Sequence, residues 1–125
     1  MHLGDTFVWS PDDRRDHLWI ATTDPQKNGG KFAAFNLTRS RGGAKALTFR
    51  IGQHPFIDRY DSDVNFGDGM ILSLENIERE VDCGQAYPHE RMALRMVELI
   101  AKIAITHPAV SEEVQELIKS EWGWA

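Results

Sequence analysis

The chain has 125 residues, 42% of them hydrophobic and 10% aromatic, with a formal charge of -5. That length fits one ordinary domain with enough apolar content to fill a core. No stretch approaches the ~20 apolar residues of a membrane span, and the net negative charge excludes general nucleic-acid binding by the whole surface.

The first half reads as strands. Thr6–Trp9 is β-branched and aromatic, and Ser10-Pro11-Asp12-Asp13 stops it. Leu18–Thr23 is a second strand ended by Asp24-Pro25, and Asn28-Gly29-Gly30 is a turn signal. Lys31–Thr38 is a third, followed by the polar loop Arg39–Gly43. Ala46–Ile51 alternates, with Leu47, Phe49 and Ile51 on one side. Asp63–Phe66 and Met70–Leu72 read as two shorter strands around Gly67-Asp68-Gly69. Short strands with closely spaced turns predict a small, strongly bent sheet or barrel.

After Leu72 the periodicity becomes helical. Ser73 can cap a short helix running toward Cys83-Gly84, where Cys83 reads as a buried helix-end residue. Pro88 is read as opening a longer helix with an apolar stripe of Met92, Met96, Leu99, Ile100 and Ile103, ended by His107-Pro108. Ser111 caps a last helix with Glu112 and Glu113 in its first turn, and Val114, Leu117 and Ile118 form its stripe. The expected architecture is α+β: residues 3–72 form a curved antiparallel β-barrel core and 73–125 a helical C-terminal extension, within a single domain of residues 1–125.

Charge is unevenly placed. Residues 1–72 hold nine Lys/Arg and nine Asp/Glu, so the C-terminal part carries the whole negative excess. Within the first part, Pro25–Ile57 contains six basic residues (Lys27, Lys31, Arg39, Arg41, Lys45, Arg50) and no acid. Such a run marks a local positive surface that attracts an anion such as RNA, or a basic loop that is merely solvated. No phosphate-binding glycine fingerprint is present. The spacing of His54, Asp58 and Asp61 is not specific for a metal, so neither metal nor cofactor is expected. Cys83 is the only cysteine, so it has no partner for an internal disulfide or a structural zinc site.

The remaining chemistry rests on two histidines. His17 precedes the second strand and His54 follows the fourth; an imidazole near neutral pKa moves protons in either direction. Each has a structural reading too, as a strand-end residue bonded to nearby backbone. Arg39 and Arg41 can clamp a phosphate. RNA brings its own nucleophile, the 2′-hydroxyl, so a base, an acid and a cationic clamp suffice to cleave it.

Several segments resemble the PemK/MazF-like toxins of bacterial toxin–antitoxin systems. They are Gly4–Trp9, His17–Thr22, Phe35–Ser40, Gly52–Ile57 and Asp61–Asp68, and the resemblance covers about residues 3–72. It implies a compact SH3-like barrel and a metal-independent endoribonuclease acting on single-stranded RNA. Thr38 and Ser40 match the family's Thr or Ser after the third strand. The family's Arg-Pro at the start of the second strand is replaced by His17-Leu18. Either His17 takes over proton transfer, with Arg14, Arg15 or Arg39 supplying charge, or this branch has lost catalysis. The expected catalytic set is therefore His17, Thr38, Ser40 and His54. Arg39, Arg41, Lys45 and Arg50 are expected to bind RNA. The implied partners are single-stranded RNA, an antitoxin and a second copy of the chain, in the cytoplasm. The alternative is a non-catalytic RNA- or protein-binding module on the same barrel.

Overall fold

The computed structural model describes residues 1–11, 16–43 and 45–124. Its element order is β1 (Thr6–Trp9), β2 (His17–Ala21), a 3-10 turn (Pro25–Lys27), β3 (Lys31–Arg39), β4 (Thr48–Phe49), β5 (Ser62–Ser73), α1 (Leu74–Asp82), β6 (Ala86–His89), α2 (Leu94–Ala104) and α3 (Glu112–Trp122). The protein is α+β. Six antiparallel strands in the order β4-β5-β3-β2-β1-β6 form a curled half-barrel.

Alternation along the strands gives the sheet two different faces. One carries Leu18, Ile20, Ala33, Phe35, Leu37, Val64 and Phe66, and it packs on Met96, Val97, Ile100, Ala101, Val114 and Ile118 of α2 and α3. Ser111 caps α3 by accepting from the Val114 amide, as expected. The other face carries Phe7, Trp19, Ala21, Phe32 and Ala34, and Ile77 of α1 covers it. Ser73 caps α1 through the Asn76 amide.

Three expectations change. The two short strands around Gly67-Asp68-Gly69 are one strand, β5, with an arch in it. Ala34 pairs with Met70 and Asn36 with Asn65, so Phe35 alone is set against Phe66–Gly69. Gly69 makes this fit, since a Cβ there would lie 2.1 Å from the Phe35 ring. Pro88 does not open a helix. It lies in β6, which pairs with β1, so the sheet recruits a strand from beyond residue 72; β6 is an edge strand, where the missing proline N–H costs least. The segment expected as a strand over 46–51 keeps only Thr48–Phe49. Gly52 turns the chain at φ 90°, and Ile51 is exposed with its N–H capped by the Asp61 carboxylate. Among smaller differences, Cys83 is exposed at the C-cap of α1, and Leu99 is exposed outside the apolar stripe of α2.

Candidate functional site

Cross-strand partners share a face of a sheet. The pairs Trp9↔His17, Trp19↔Asn36, Asn36↔Asn65, Thr38↔Asp63 and Thr48↔Asp63 therefore place these side chains on the face that α1 half covers. Its apolar half lies under Ile77. Its polar half runs from His17 through Asn36 and Thr38 to Asp63 and Thr48. This strip leads from a depression at His17 to a cationic end beyond β3.

The depression has a volume of about 360 Å³ and is lined by His17, Trp19, Asn36, Asp68 and Met70, among others. The Nδ1 of His17 lies 3.0 Å from the Leu37 carbonyl oxygen. A carbonyl only accepts, so in the neutral ring Nδ1 carries the hydrogen and Nε2 keeps its lone pair. Nε2 has no partner among the described residues. This is the tautomer a proton acceptor needs, held by backbone.

Asn36 is a polar residue in an otherwise apolar stretch of β3 and is only 2% exposed. Its amide nitrogen donates to Asp68 Oδ2 at 3.1 Å, and the Asn65 amide donates to the same oxygen at 3.0 Å. These two bonds hold the arch of β5 against β3. They also fix the Asn36 amide, since the flipped orientation would set its oxygen against a carboxylate. Its Oδ1 is consequently buried without a partner. Neither Asn36 nor Asp68 stood out as a site residue from sequence. The available signal was a lone amide inside the apolar run of β3.

Beyond β3, the amide of Ser40 continues the ladder by donating to the Asp61 carbonyl at 2.8 Å. A second depression of about 470 Å³ here is lined by Ser40, Thr48, Arg50, Arg59, Tyr60 and Asp61. The Arg39 guanidinium lies over the Tyr60 ring, 3.6 Å from its centroid. Arg50 is the partly neutralised member, bonded to Asp61 Oδ2 at 3.2 Å. Arg41 and Lys45 are exposed, with no ion pair among the described residues. Sequence reasoning missed Arg59 and Tyr60 because they lie past the acid-free run. That run is also not one surface. Lys31 and Arg39 begin and end β3, about 26 Å apart at ~3.3 Å per residue, so Lys27 and Lys31 belong to the opposite end of the sheet.

His54 is not brought to His17 and lines neither depression. It is buried, its Nδ1 accepts from the Phe56 amide at 3.1 Å, and so its Nε2–H donates to the Glu90 carbonyl. Thr6 donates to the same carbonyl at 2.6 Å. The ring lies 5.3 Å from that of His89. Burial, assisted by His89, pushes the His54 pKa below its ordinary value despite the bond to Glu90. His54 thus clips the loop after β4 to the segment after β6. The expected pairing of two histidines as base and acid is not what the fold assembles.

Arg14 and Arg15 lie outside the described residues. Among the described residues, no group of three or more His, Cys, Asp or Glu side chains is placed to hold a metal ion. No described helix is long and apolar enough to cross a membrane. Compared with protein-family models, with curated proteins and with solved structures, the chain matches none of them.

Proposed function

We propose that this protein is a toxin-like endoribonuclease acting on single-stranded RNA without a metal, built on a PemK/MazF-like variant of the SH3-type barrel. The observation that carries the reading is the state of His17. Its Nδ1–H is held by the Leu37 carbonyl and its Nε2 is left as a base. It stands on β2, on the same sheet face as Thr38 of β3, the strand that ends at the cationic Arg39–Arg41 segment.

In this reading His17 Nε2 takes the proton from a ribose 2′-hydroxyl. The 2′-oxygen attacks the adjacent phosphorus, and the bond to the 5′-oxygen breaks. The proton held on His17 then passes to that departing oxygen, leaving a 2′,3′-cyclic phosphate and a 5′-hydroxyl. Thr38 and Ser40 orient the phosphate, and Arg39 and Arg41 stabilise its charge. Lys45 and Arg59 extend the cationic track.

One observation favours a second reading, an RNA-binding module without catalysis. The second imidazole is locked at Glu90, so no separate acid accompanies His17 among the described histidines. One assay separates the two: cleavage of single-stranded RNA by purified protein with EDTA present. The nuclease reading expects cyclic-phosphate products and a loss of roughly 10²–10⁴-fold in His17→Ala, the usual contribution of a general base. RNA binding without cleavage in the wild type establishes the module instead. Cleavage abolished by EDTA, or unchanged in His17→Ala, overturns the metal-free His17 mechanism.

A further inference from the structure

The depression beside His17 presents acceptors. His17 Nε2, Asp68 Oδ1 and the buried Asn36 Oδ1 have no hydrogen-bond donor among the described residues. Trp19, 2% exposed with Trp9 tilted against it at 5.4 Å between centroids, closes its floor, and its open wall is Met70, which is 39% exposed although large and apolar. Such a site suits a flat ligand with adjacent N–H donors along one edge, covered on one side by a thioether.

Resting on the RNA reading above, we propose that this depression is a base-recognition site selective for guanine. The four bases differ in what their pairing edge offers. Guanine presents two neighbouring donors, N1–H and the 2-amino group. Adenine and cytosine set a single amino donor beside a ring-nitrogen acceptor, which would face the protein's acceptors. Uracil flanks its one N–H with two carbonyls. Only guanine complements such a set of acceptors, with Asp68 Oδ1, the carboxylate oxygen that Asn36 and Asn65 leave free, taking the two donors side by side. Asn36 Oδ1 has no surface open to water, so a donor reaches it only as the rim yields. Met70, the long flexible side chain on that rim, takes up the shift. Guanine binding here holds the neighbouring phosphate on the strip that leads to Thr38 and Ser40.

The test is binding of five-nucleotide RNAs that differ only at the central base, followed by fluorescence anisotropy. The expected order is guanine about tenfold tighter than adenine, cytosine or uracil, within the roughly five- to 150-fold discrimination of a good two-bond base contact. Replacing guanine by hypoxanthine, which lacks only the 2-amino group, should remove most of the preference. That comparison leaves the protein unaltered, so it holds even though Asp68 also supports the arch. Asp68→Asn should abolish the guanine preference while the uracil oligomer binds as before. Equal affinity for all central bases, or for guanine and hypoxanthine, overturns the inference and leaves the RNA reading standing. Weakening of every oligomer alike in Asp68→Asn assigns Asp68 a structural role only and overturns it too. Absence of binding to any oligomer overturns the RNA reading itself.

Discussion

Gly69→Ala is the sharpest test of how the arch of β5 is held. The added Cβ would sit 2.1 Å from Cε1 and 2.6 Å from Cδ1 of Phe35, against an ordinary carbon–carbon contact of ~3.5–4.0 Å. The ring must therefore move by about 1.5 Å, and it has nowhere open to go. Phe35 is fully buried and tilted against Phe66 at 5.6 Å between centroids. Overpacking of this kind costs about 1–3 kcal/mol, and disturbing an aromatic pair costs about 0.5–1.5 more. Gly69 does not have a positive φ, so alanine is allowed by the backbone and recovers about 0.4–1 kcal/mol through the unfolded chain. The net loss is about 2–3 kcal/mol, a large share of the ~5–15 kcal/mol of a typical domain. Urea unfolding followed by tryptophan fluorescence should show a midpoint about 1 M lower, at an m-value of ~2 kcal/mol/M. Phe35→Leu in the same chain removes the clashing ring edge. The double variant should then lose less than the sum of the single ones. A Gly69→Ala protein within ~0.5 kcal/mol of wild type, or strictly additive losses, would refute the packing argument.

Two further outcomes follow from the loop residues. His54 has a folded pKa below its unfolded value of 6.5, so its stabilising contribution is complete above that pH. It is lost as pH falls from 6.5 through the lowered folded pKa, because there the unfolded chain binds the proton and the native site resists it. Acidification across that window should cost wild type more urea stability than His54→Gln; equal losses would assign the acid sensitivity to other groups. Replacing both Arg39 and Arg41 with Ala should weaken single-stranded RNA binding and reduce the log–log salt slope by about 1.4, at ~0.7 per lost phosphate contact, while unfolding loses no more than the ~0.5–1 kcal/mol of the Arg39–Tyr60 stack. An unaltered slope would remove this loop from the RNA path.

Where local pattern and tertiary structure agreed, the sequence was a good guide. β1, β3, the Ser73 and Ser111 caps and the Val114 and Ile118 stripe follow from alternation, capping chemistry and 3.6-residue spacing. These are short-range effects that residues carry with them. The readings that failed each depended on a distant partner. Pro88 looks like a helix start until β1 offers a sheet edge to Ala86–His89. Gly67-Asp68-Gly69 looks like a turn between strands until Phe35 fills the space that Gly69 leaves and Asn36 and Asn65 anchor Asp68. Ile51 looks half-buried by alternation until Asp61 caps its amide in a turn.

The same distinction decides what could be read of the site. His17, Thr38 and Ser40 belong to strands or strand ends whose phase is locally encoded, so their shared face was within reach. His54 was not, because its role depends on the Glu90 carbonyl, 36 residues away, taking the proton of Nε2. An isolated histidine in sequence is a proton carrier in prospect; whether it remains one depends on how many of its nitrogens the fold occupies. At His54 both are occupied, by Phe56 and Glu90, and protonation would set an N–H against the Phe56 amide. At His17 one is occupied, by a carbonyl that fixes the tautomer and leaves the other nitrogen basic. Two residues of the same type, each beside a strand, are thus separated into a clip and a candidate base by a single additional hydrogen bond. The distinction also fixes where acid acts on stability: at His54, whose occupied nitrogens resist the proton.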